Sequence, residues 1–124
     1  MIIKDLQDLN SKTLAELETA VTRVNELLND PNLDLDDESR LLARRGLLFD
    51  QITIQSVAQA HLKASKIAVA FSPKEEADLT DLEAKMDGFI LAGAKIGAVI
   101  SLVPKIVDTA SDIEMKIRAH TAKA

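Results

Sequence analysis

Apolar residues recur every three or four positions along this chain, and Pro31, Pro73 and Pro104 divide the pattern into segments. This spacing places apolar side chains along one face of an α-helix, whereas a half-buried β-strand needs strict alternation. Each proline marks a helix boundary or a kink, because its ring removes a backbone donor. With 124 residues, the length of one domain, the chain is predicted to be a single all-α domain over residues 1–124. We expect an antiparallel helical bundle of three to four helices built around a long helical hairpin.

The first two helices are predicted over residues 13–29 and 36–71. Thr13 and Glu16 match a capping box, in which two side chains satisfy free backbone amides at a helix start. Upstream apolar residues keep the same spacing, so a short leading turn and a continuous longer first helix are both consistent with the sequence. The second helix follows an acidic segment that complements the helix dipole. It would be roughly 50 Å long, and Gly46 is the weak point in its helical pattern.

The second helix carries apolar residues on two sides. One side contains Leu41, Leu48 and Ile52, and the other contains Leu47, Ile54, Val57, Ala64, Ala68 and Phe71. An apolar surface of this width indicates contact with more than one neighbour.

The sequence SPKEE, residues 72–76, predicts the clearest helix start. Ser72 suits the N-cap, Pro73 suits the first helical position, and Glu75 supplies a first-turn carboxylate. Because few residues separate the second helix from the third, predicted over residues 73–103, the two are expected to form an antiparallel hairpin. Pro104 either kinks the third helix or separates it from a fourth, predicted over residues 105–121.

The composition restricts both the core and the chemistry. Aromatic residues make up 2% of the chain and hydrophobic residues 47%, so we expect an aliphatic core of the kind that helix packing favours. The absence of cysteine excludes disulfides and thiolate metal sites. A net charge of −5 opposes binding to phosphate backbones, so nucleic acid is not an expected partner. The N-terminal segment lacks the features of a secretory signal, which makes a cytoplasmic location the default expectation, although signal-independent export would leave no mark.

An acidic loop is the strongest metal-like feature of the sequence. Oxygen-bearing side chains alternate there at Asp30, Asn32, Asp34, Asp36 and Glu38. A calcium-binding loop also needs glycine at its sixth position and glutamate at its twelfth, and these places hold Leu35 and Leu41. We therefore expect a turn followed by a helix cap, with no metal site.

No catalytic residue or cofactor is predicted either. His61 and His120 lack the i, i+4 histidine partner of a helical zinc motif, and His61 is expected to be buried and hydrogen-bonded. No serine lies in a Gly-x-Ser-x-Gly elbow. Arg44 and Arg45 are expected on a solvated helix face. The sequence thus predicts a protein that is not an enzyme.

Residues 88–107 form a largely apolar stretch, GFILAGAKIGAVISLVPKIV. In a membrane span, Lys95 would lie near the bilayer centre at a cost of about 2.5–3.5 kcal/mol. In a helical bundle, Gly93 and Gly97 would let a neighbouring helix approach closely, which would offset the cost of about 1 kcal/mol that each glycine imposes relative to alanine. Close helix packing is the favoured interpretation, and reversible membrane insertion is the alternative.

Unequal helix lengths lead to a functional prediction, because a short first helix leaves part of a longer second helix uncovered. We expect a non-enzymatic interaction protein, an adaptor, assembly subunit or inhibitor, that docks by helix–helix burial onto a second copy or another protein. The predicted interface residues are Gly93, Gly97, Ile96, Ile100 and Val103, with Leu41 and Leu48 as opposing anchors. The alternative is a membrane-active protein that inserts residues 88–107.

Overall fold

A computed structural model describes residues 3–64 and 71–121 as four α-helices and their connections. The helices are α1 (Ile3–Leu28), α2 (Leu35–Ala64), α3 (Pro73–Asp87) and α4 (Ile96–Thr121). No strand occurs within these described ranges. The prediction of an all-α bundle of three to four helices is confirmed.

The helices α1 and α2 form the long antiparallel hairpin and share the most extensive interface of the bundle. The start of α1 lies beside the end of α2, where Gln7 Nε2 donates to the Leu62 carbonyl at 3.0 Å. Helix α4 runs parallel to α2 and completes a three-helix core, while α3 packs against α4. Among the described residues α2 and α3 do not pack together, so the hairpin expected between the second and third helices is instead formed by the first two.

The core is aliphatic, as predicted. Its fully buried side chains come from α1, α2, α3 and α4, and include Leu17, Val24, Leu41, Leu48, Leu79, Val99, Val103 and Ile113. Complete burial of one such side chain stabilises the fold by about 1.5–3 kcal/mol. Of the three phenylalanines, only Phe71 belongs to this buried set, at 8% exposure.

The first helix begins well before the predicted residue 13. Thr13 lies inside α1, where its Oγ1 donates to the Leu9 carbonyl at 2.9 Å instead of capping a helix start. Leu6 and Leu9 are buried, so the helix is continued upstream by tertiary packing. The continuous longer first helix, one of the two alternatives, is the one observed.

Helix α3 begins where the sequence predicted, with a complete capping box. Ser72 Oγ accepts from the Glu75 amide at 3.2 Å, and Glu75 Oε1 accepts from the Ser72 amide at 3.1 Å. Described helix α2 ends at Ala64, and the part of its prediction over residues 65–70, including Ala68, lies outside the described residues. Phe71 precedes the cap of α3 and is not helical.

The predicted third and fourth helices, residues 73–103 and 105–121, have the wrong boundary. Helix α3 stops at Asp87, and residues 88–95 form a connection in which Gly93 has a φ of +73°. Pro104 lies inside α4 and ends no helix. Gly93 cannot continue a right-handed helix at its positive φ, so the connection that contains it separates α3 from α4.

Pro104 is tolerated because its missing donor is replaced from another helix. In an uninterrupted helix, the amide at position 104 would bond to the Ile100 carbonyl. Arg44 of α2 donates its Nε to that carbonyl at 2.9 Å. The same contact joins the start of α4 to α2.

Helix α3 is also tied to α1 by ion pairs at the surface. Lys12 Nζ lies 3.0 Å from Asp87 Oδ2 and 3.3 Å from Glu83 Oε1. Hydrogen bonds to Asp87 and Glu83 raise the pKa of Lys12. These exposed pairs orient α3 but add little to stability.

Candidate interaction surface

The outward side of α2 carries a continuous row of seven residues, which we call the outer seam. The row consists of Ala43, Leu47, Asp50, Ile54, Val57, His61 and Ala64. Their spacing alternates between four and three residues, the repeat by which one helix packs along another in a coiled coil. All seven are exposed. The outer seam therefore has coiled-coil geometry but no partner helix among the described residues.

Three of the seven outer-seam residues are large aliphatic side chains. The exposed fractions are 41% for Leu47, 45% for Ile54 and 55% for Val57. Leu42 and Phe49, beside the seam, are 43% and 49% exposed. Contiguous apolar surface of this kind marks interaction sites on soluble proteins.

Two residues of the outer seam can carry charge, Asp50 and His61. They lie eleven residues apart, about three helical turns, near opposite ends of the aliphatic segment. The aliphatic side chains of Ile54 and Val57 separate them. The seam is thus apolar at its centre, with one acidic and one basic position toward its ends.

A groove runs beside the outer seam, between α2 and α4. It has a volume of about 600 Å³, and Ile54, Val57 and His61 line its α2 side. On the α4 side, Arg118 Nη2 donates to Glu114 Oε2 at 3.2 Å. The groove widens the apolar surface on the outward side of α2.

Gly46 lies beside the outer seam in the interior of α2. It is exposed, and a Cβ added there would meet nothing within 4 Å. Glycine in an exposed helix interior costs about 1 kcal/mol relative to alanine. Nothing in the packing of the described residues offsets this cost, whereas a helix docked against the seam would approach more closely at a glycine.

A buried amide network holds the outer seam outward by fixing the rotation of α2. Asn10 Nδ2 donates to the Gln55 carbonyl at 2.9 Å, and Gln55 Nε2 donates back to Asn10 Oδ1 at 2.9 Å. Gln51 Nε2 donates to Gln55 Oε1 at 2.7 Å. A buried amide left without a partner costs about 1–3 kcal/mol, so a rotated or shifted α2 would be penalised.

The arginines expected on a solvated face instead anchor neighbouring elements. Besides the contact of Arg44 with α4, Arg45 Nη1 donates to Asn25 Oδ1 of α1 at 2.9 Å. Arg23 of α1 donates its Nη2 to the Ala94 carbonyl at 2.6 Å. For Arg44, the sequence feature that could have indicated this role is Pro104. A proline inside a helix leaves one carbonyl without its usual backbone donor, so a donor must come from another element.

The predicted interface residues fall into three groups, which are buried, half-buried and exposed. Leu41, Leu48 and Val103 are 0% exposed and belong to the core, so they are not accessible to a partner on the folded chain. Ile96 and Ile100 are half-buried and pack against that core. All five residues belong to the buried core or pack against it, and the two isoleucines are also partly exposed.

Gly93 and Gly97 do not mediate close helix packing within the chain. Both are exposed, and a Cβ at either position would meet nothing within 4 Å. Gly93 serves the turn between α3 and α4, and Gly97 lies in the first turn of α4. The expected helix contact through these glycines is therefore wrong for the described fold.

The prediction that His61 is buried is wrong, and the other histidine occupies a buried position. His61 is exposed on the outer seam and not buried. His120 is the buried one, at 2% exposure, with its Nδ1 3.0 Å from Glu75 Oε2 and its ring stacked on Phe71 at 3.6 Å. Through Glu75, His120 joins the end of α4 to the cap of α3.

The acidic loop forms a turn and a helix cap. Asp30 Oδ1 accepts from the Asn32 amide at 2.9 Å, and Asp34 Oδ1 accepts from the Asp37 amide at 2.8 Å. Across residues 3–64 and 71–121, no group of three potential metal-ligating side chains comes together. In the same described part of the chain, none of the helices has the length and apolar character needed to cross a bilayer.

Comparison with known proteins adds no relative, since no protein family, curated protein or solved structure matches this chain. The geometry of the outer seam therefore carries the functional argument. The sequence had already placed Leu47, Ile54 and Val57 on a second apolar side of the helix. What the sequence did not indicate is that this second side faces outward, while Leu41 and Leu48 on the first side are buried.

Proposed function

We propose that this chain is a non-enzymatic protein-interaction module that docks through the outer seam of α2. The observation that carries the proposal is the exposure of Leu47, Ile54 and Val57 on one continuous heptad-spaced face. Adaptors, assembly subunits and inhibitors that work by helix–helix burial need a face of this kind. The bundle then serves as a rigid support that presents one helix.

The driving force would be the burial of apolar side chains that water now contacts. Covering a half-exposed aliphatic side chain is worth on the order of 1 kcal/mol. Three such side chains, together with Leu42 and Phe49 at the margin, give an affinity suited to reversible association. Asp50 and His61 would contribute orientation more than affinity.

Site-specific photo-crosslinking in cells that produce the protein tests this proposal. A benzophenone side chain is introduced at Val57 of the outer seam or, as a matched control, at Met115 of α4. Val57 is 55% exposed and Met115 is 54% exposed, so the two positions differ in location and not in accessibility. We expect protein adducts, with this chain or another, at position 57 and few at position 115. Equal adducts at both positions, or none at position 57, would contradict the proposal.

The membrane-active alternative has less support because residues 88–107 are divided between a connection and the first half of α4. The same experiment separates the two functions. Lipid adducts at Ile90, which is 71% exposed, without protein adducts at Val57 would favour membrane binding. Flotation of the purified protein with anionic and neutral vesicles provides an independent measurement.

A further inference from the structure

We propose that the occupant of the outer seam is a second copy of this chain, docked antiparallel so that Asp50 faces His61 of the second copy. This inference rests on the proposed function and names its partner. In the same register, Leu47 faces Ala64 and Ile54 faces Val57 of the second copy. Each pair occurs twice, because a twofold axis passes between the Ile54 and Val57 layers.

The register follows from the alternating spacing of the outer seam. The alternating steps divide the seam into two sets, one with Leu47, Ile54 and His61 and the other with Asp50, Val57 and Ala64. In an antiparallel pair of helices, each set of one copy faces the other set of the second copy. Every large aliphatic side chain then meets an apolar one. The carboxylate meets the imidazole, which can donate a hydrogen bond to it.

Other arrangements of the same two helices are less favourable. A parallel, in-register pair places Asp50 against Asp50 of the second copy, and like charges in contact are repulsive. An antiparallel pair shifted by one heptad places Asp50 against Ile54, which buries a carboxylate without a partner. A shift in the opposite direction moves Asp50 past Ala64, the last described residue of α2. The proposed register is the one in which Asp50 gains a partner within the outer seam.

The surroundings of the outer seam suit a second helix. Gly46, Thr53 and Ala60 form one shoulder of the seam, and all three are small and exposed. Small shoulder residues let two helix backbones approach closely. On the other side, Glu114 and Arg118 of α4 flank the groove near His61 and already pair with each other at 3.2 Å. The charge complementarity therefore depends on Asp50 and His61.

The size of the contact sets its expected strength. The outer seam spans 22 residues, from Ala43 to Ala64, and is therefore about 32 Å long. One helix face of this length is smaller than a standard protein interface, so we expect reversible dimerisation within the range from about 1 µM to about 1 mM. Sedimentation velocity across that range measures the dissociation constant directly.

A charge-exchange cycle tests the register. Asp50→Lys places an ammonium opposite His61, and His61→Glu places a carboxylate opposite Asp50, so each variant should weaken dimerisation about tenfold or more. The double variant should return the dissociation constant to within about threefold of the original, because lysine then faces glutamate. Both positions are exposed and both new residues favour helices, and circular dichroism of each variant confirms that the fold is retained.

The outcomes separate this inference from the proposed function. If each single variant dimerises more weakly and the double variant recovers the original dissociation constant, the antiparallel register is supported. If the original chain dimerises but the double variant does not recover its dissociation constant, the dimer uses another register and the inference is overturned. A chain that stays monomeric up to about 1 mM also overturns it, and protein adducts of another chain at position 57 would then leave the proposed function standing. Absence of both dimers and adducts at position 57 contradicts both.

Discussion

The inner face of α2 buries glutamines, whereas its outer face leaves aliphatic side chains in contact with solvent. Gln51 and Gln55 are 5% and 0% exposed, while Ile54 and Val57 are 45% and 55% exposed. The buried amides are tolerated because each has a hydrogen-bond partner within the bundle. The exposed aliphatic side chains have no comparable partner in the described fold. Hydropathy alone therefore does not decide which face of α2 is inside, and the outer face is the one that we propose binds a partner.

Truncation of an aliphatic side chain to alanine should distinguish the inner and outer faces of α2 most strongly, through the free energy of unfolding. We expect Leu48→Ala, on the inner face, to lower the free energy of unfolding by about 2–5 kcal/mol, because Leu48 is fully buried. Ile54→Ala, on the outer seam, is the matched control and should change it by no more than about 0.5 kcal/mol in dilute solution. Urea denaturation measured at low protein concentration gives both values. Similar losses for the two variants would mean that the outer seam is packed within the monomer.

Unpairing the buried amides should have the next largest effect. Asn10→Leu removes the partner of Gln55, so we expect a loss of about 1–3 kcal/mol in the free energy of unfolding. Adding Gln51→Leu and Gln55→Leu should recover part of this loss, because the two buried glutamines are then replaced and only the half-buried Gln59 has lost its Asn10 donor. Urea denaturation of the single and triple variants checks this expectation. A triple variant less stable than Asn10→Leu alone would indicate that the amides fix more than their own pairing.

The contribution of the Arg44 contact to the free energy of unfolding should depend on the presence of Pro104. Arg44→Met should cost about 1–2 kcal/mol, since it leaves the Ile100 carbonyl without a donor. In a Pro104→Ala background, the restored backbone amide supplies that donor, and the same substitution should cost less than about 0.5 kcal/mol. A double-mutant cycle by thermal or urea denaturation measures the difference. Equal costs in both backgrounds would show that Arg44 acts through other contacts.

Sequence reasoning succeeded where the determining interactions are local. Helical periodicity predicts the all-α fold, and the capping box at Ser72 and Glu75 lies where the sequence places it because it involves residues three apart. Thr13 has similar capping chemistry but lies inside α1, where burial of upstream leucines outweighs the local signal. Local patterns are therefore decisive only when tertiary packing does not oppose them.

Other features that the sequence did not reveal depend on contacts between residues distant in sequence, whereas the end of the predicted third helix follows the local conformation of Gly93. The helix boundary predicted at Pro104 is absent from α4, and Arg44, 56 positions away along the chain from Ile100, supplies the donor that the proline lacks. The core position of Gln55 depends on Asn10, 45 residues away. The two apolar sides of α2 were recognised, but which side is covered is decided by where α1 and α4 pack.

The smallest effect on folding should come from the outer seam itself. Val57→Ser should change the free energy of unfolding by no more than about 0.5 kcal/mol in dilute solution, because the side chain is more than half exposed. The same substitution removes apolar area from the centre of the proposed dimer, so it should weaken association about tenfold. Met115→Ser, at matched exposure on α4, should leave association unchanged. Parallel denaturation and sedimentation measurements separate the two effects.

Thiol reactivity at Val57 tests the central claim most directly, because the chain contains no cysteine and a single Val57→Cys substitution gives a unique probe. The rate of alkylation is measured under reducing conditions from about 1 µM to about 1 mM protein, with Met115→Cys as the control. The account predicts that the thiol at position 57 becomes progressively protected as concentration rises, while the thiol at position 115 reacts at a constant rate. A thiol at position 57 that remains equally reactive throughout this range would contradict docking of two outer seams.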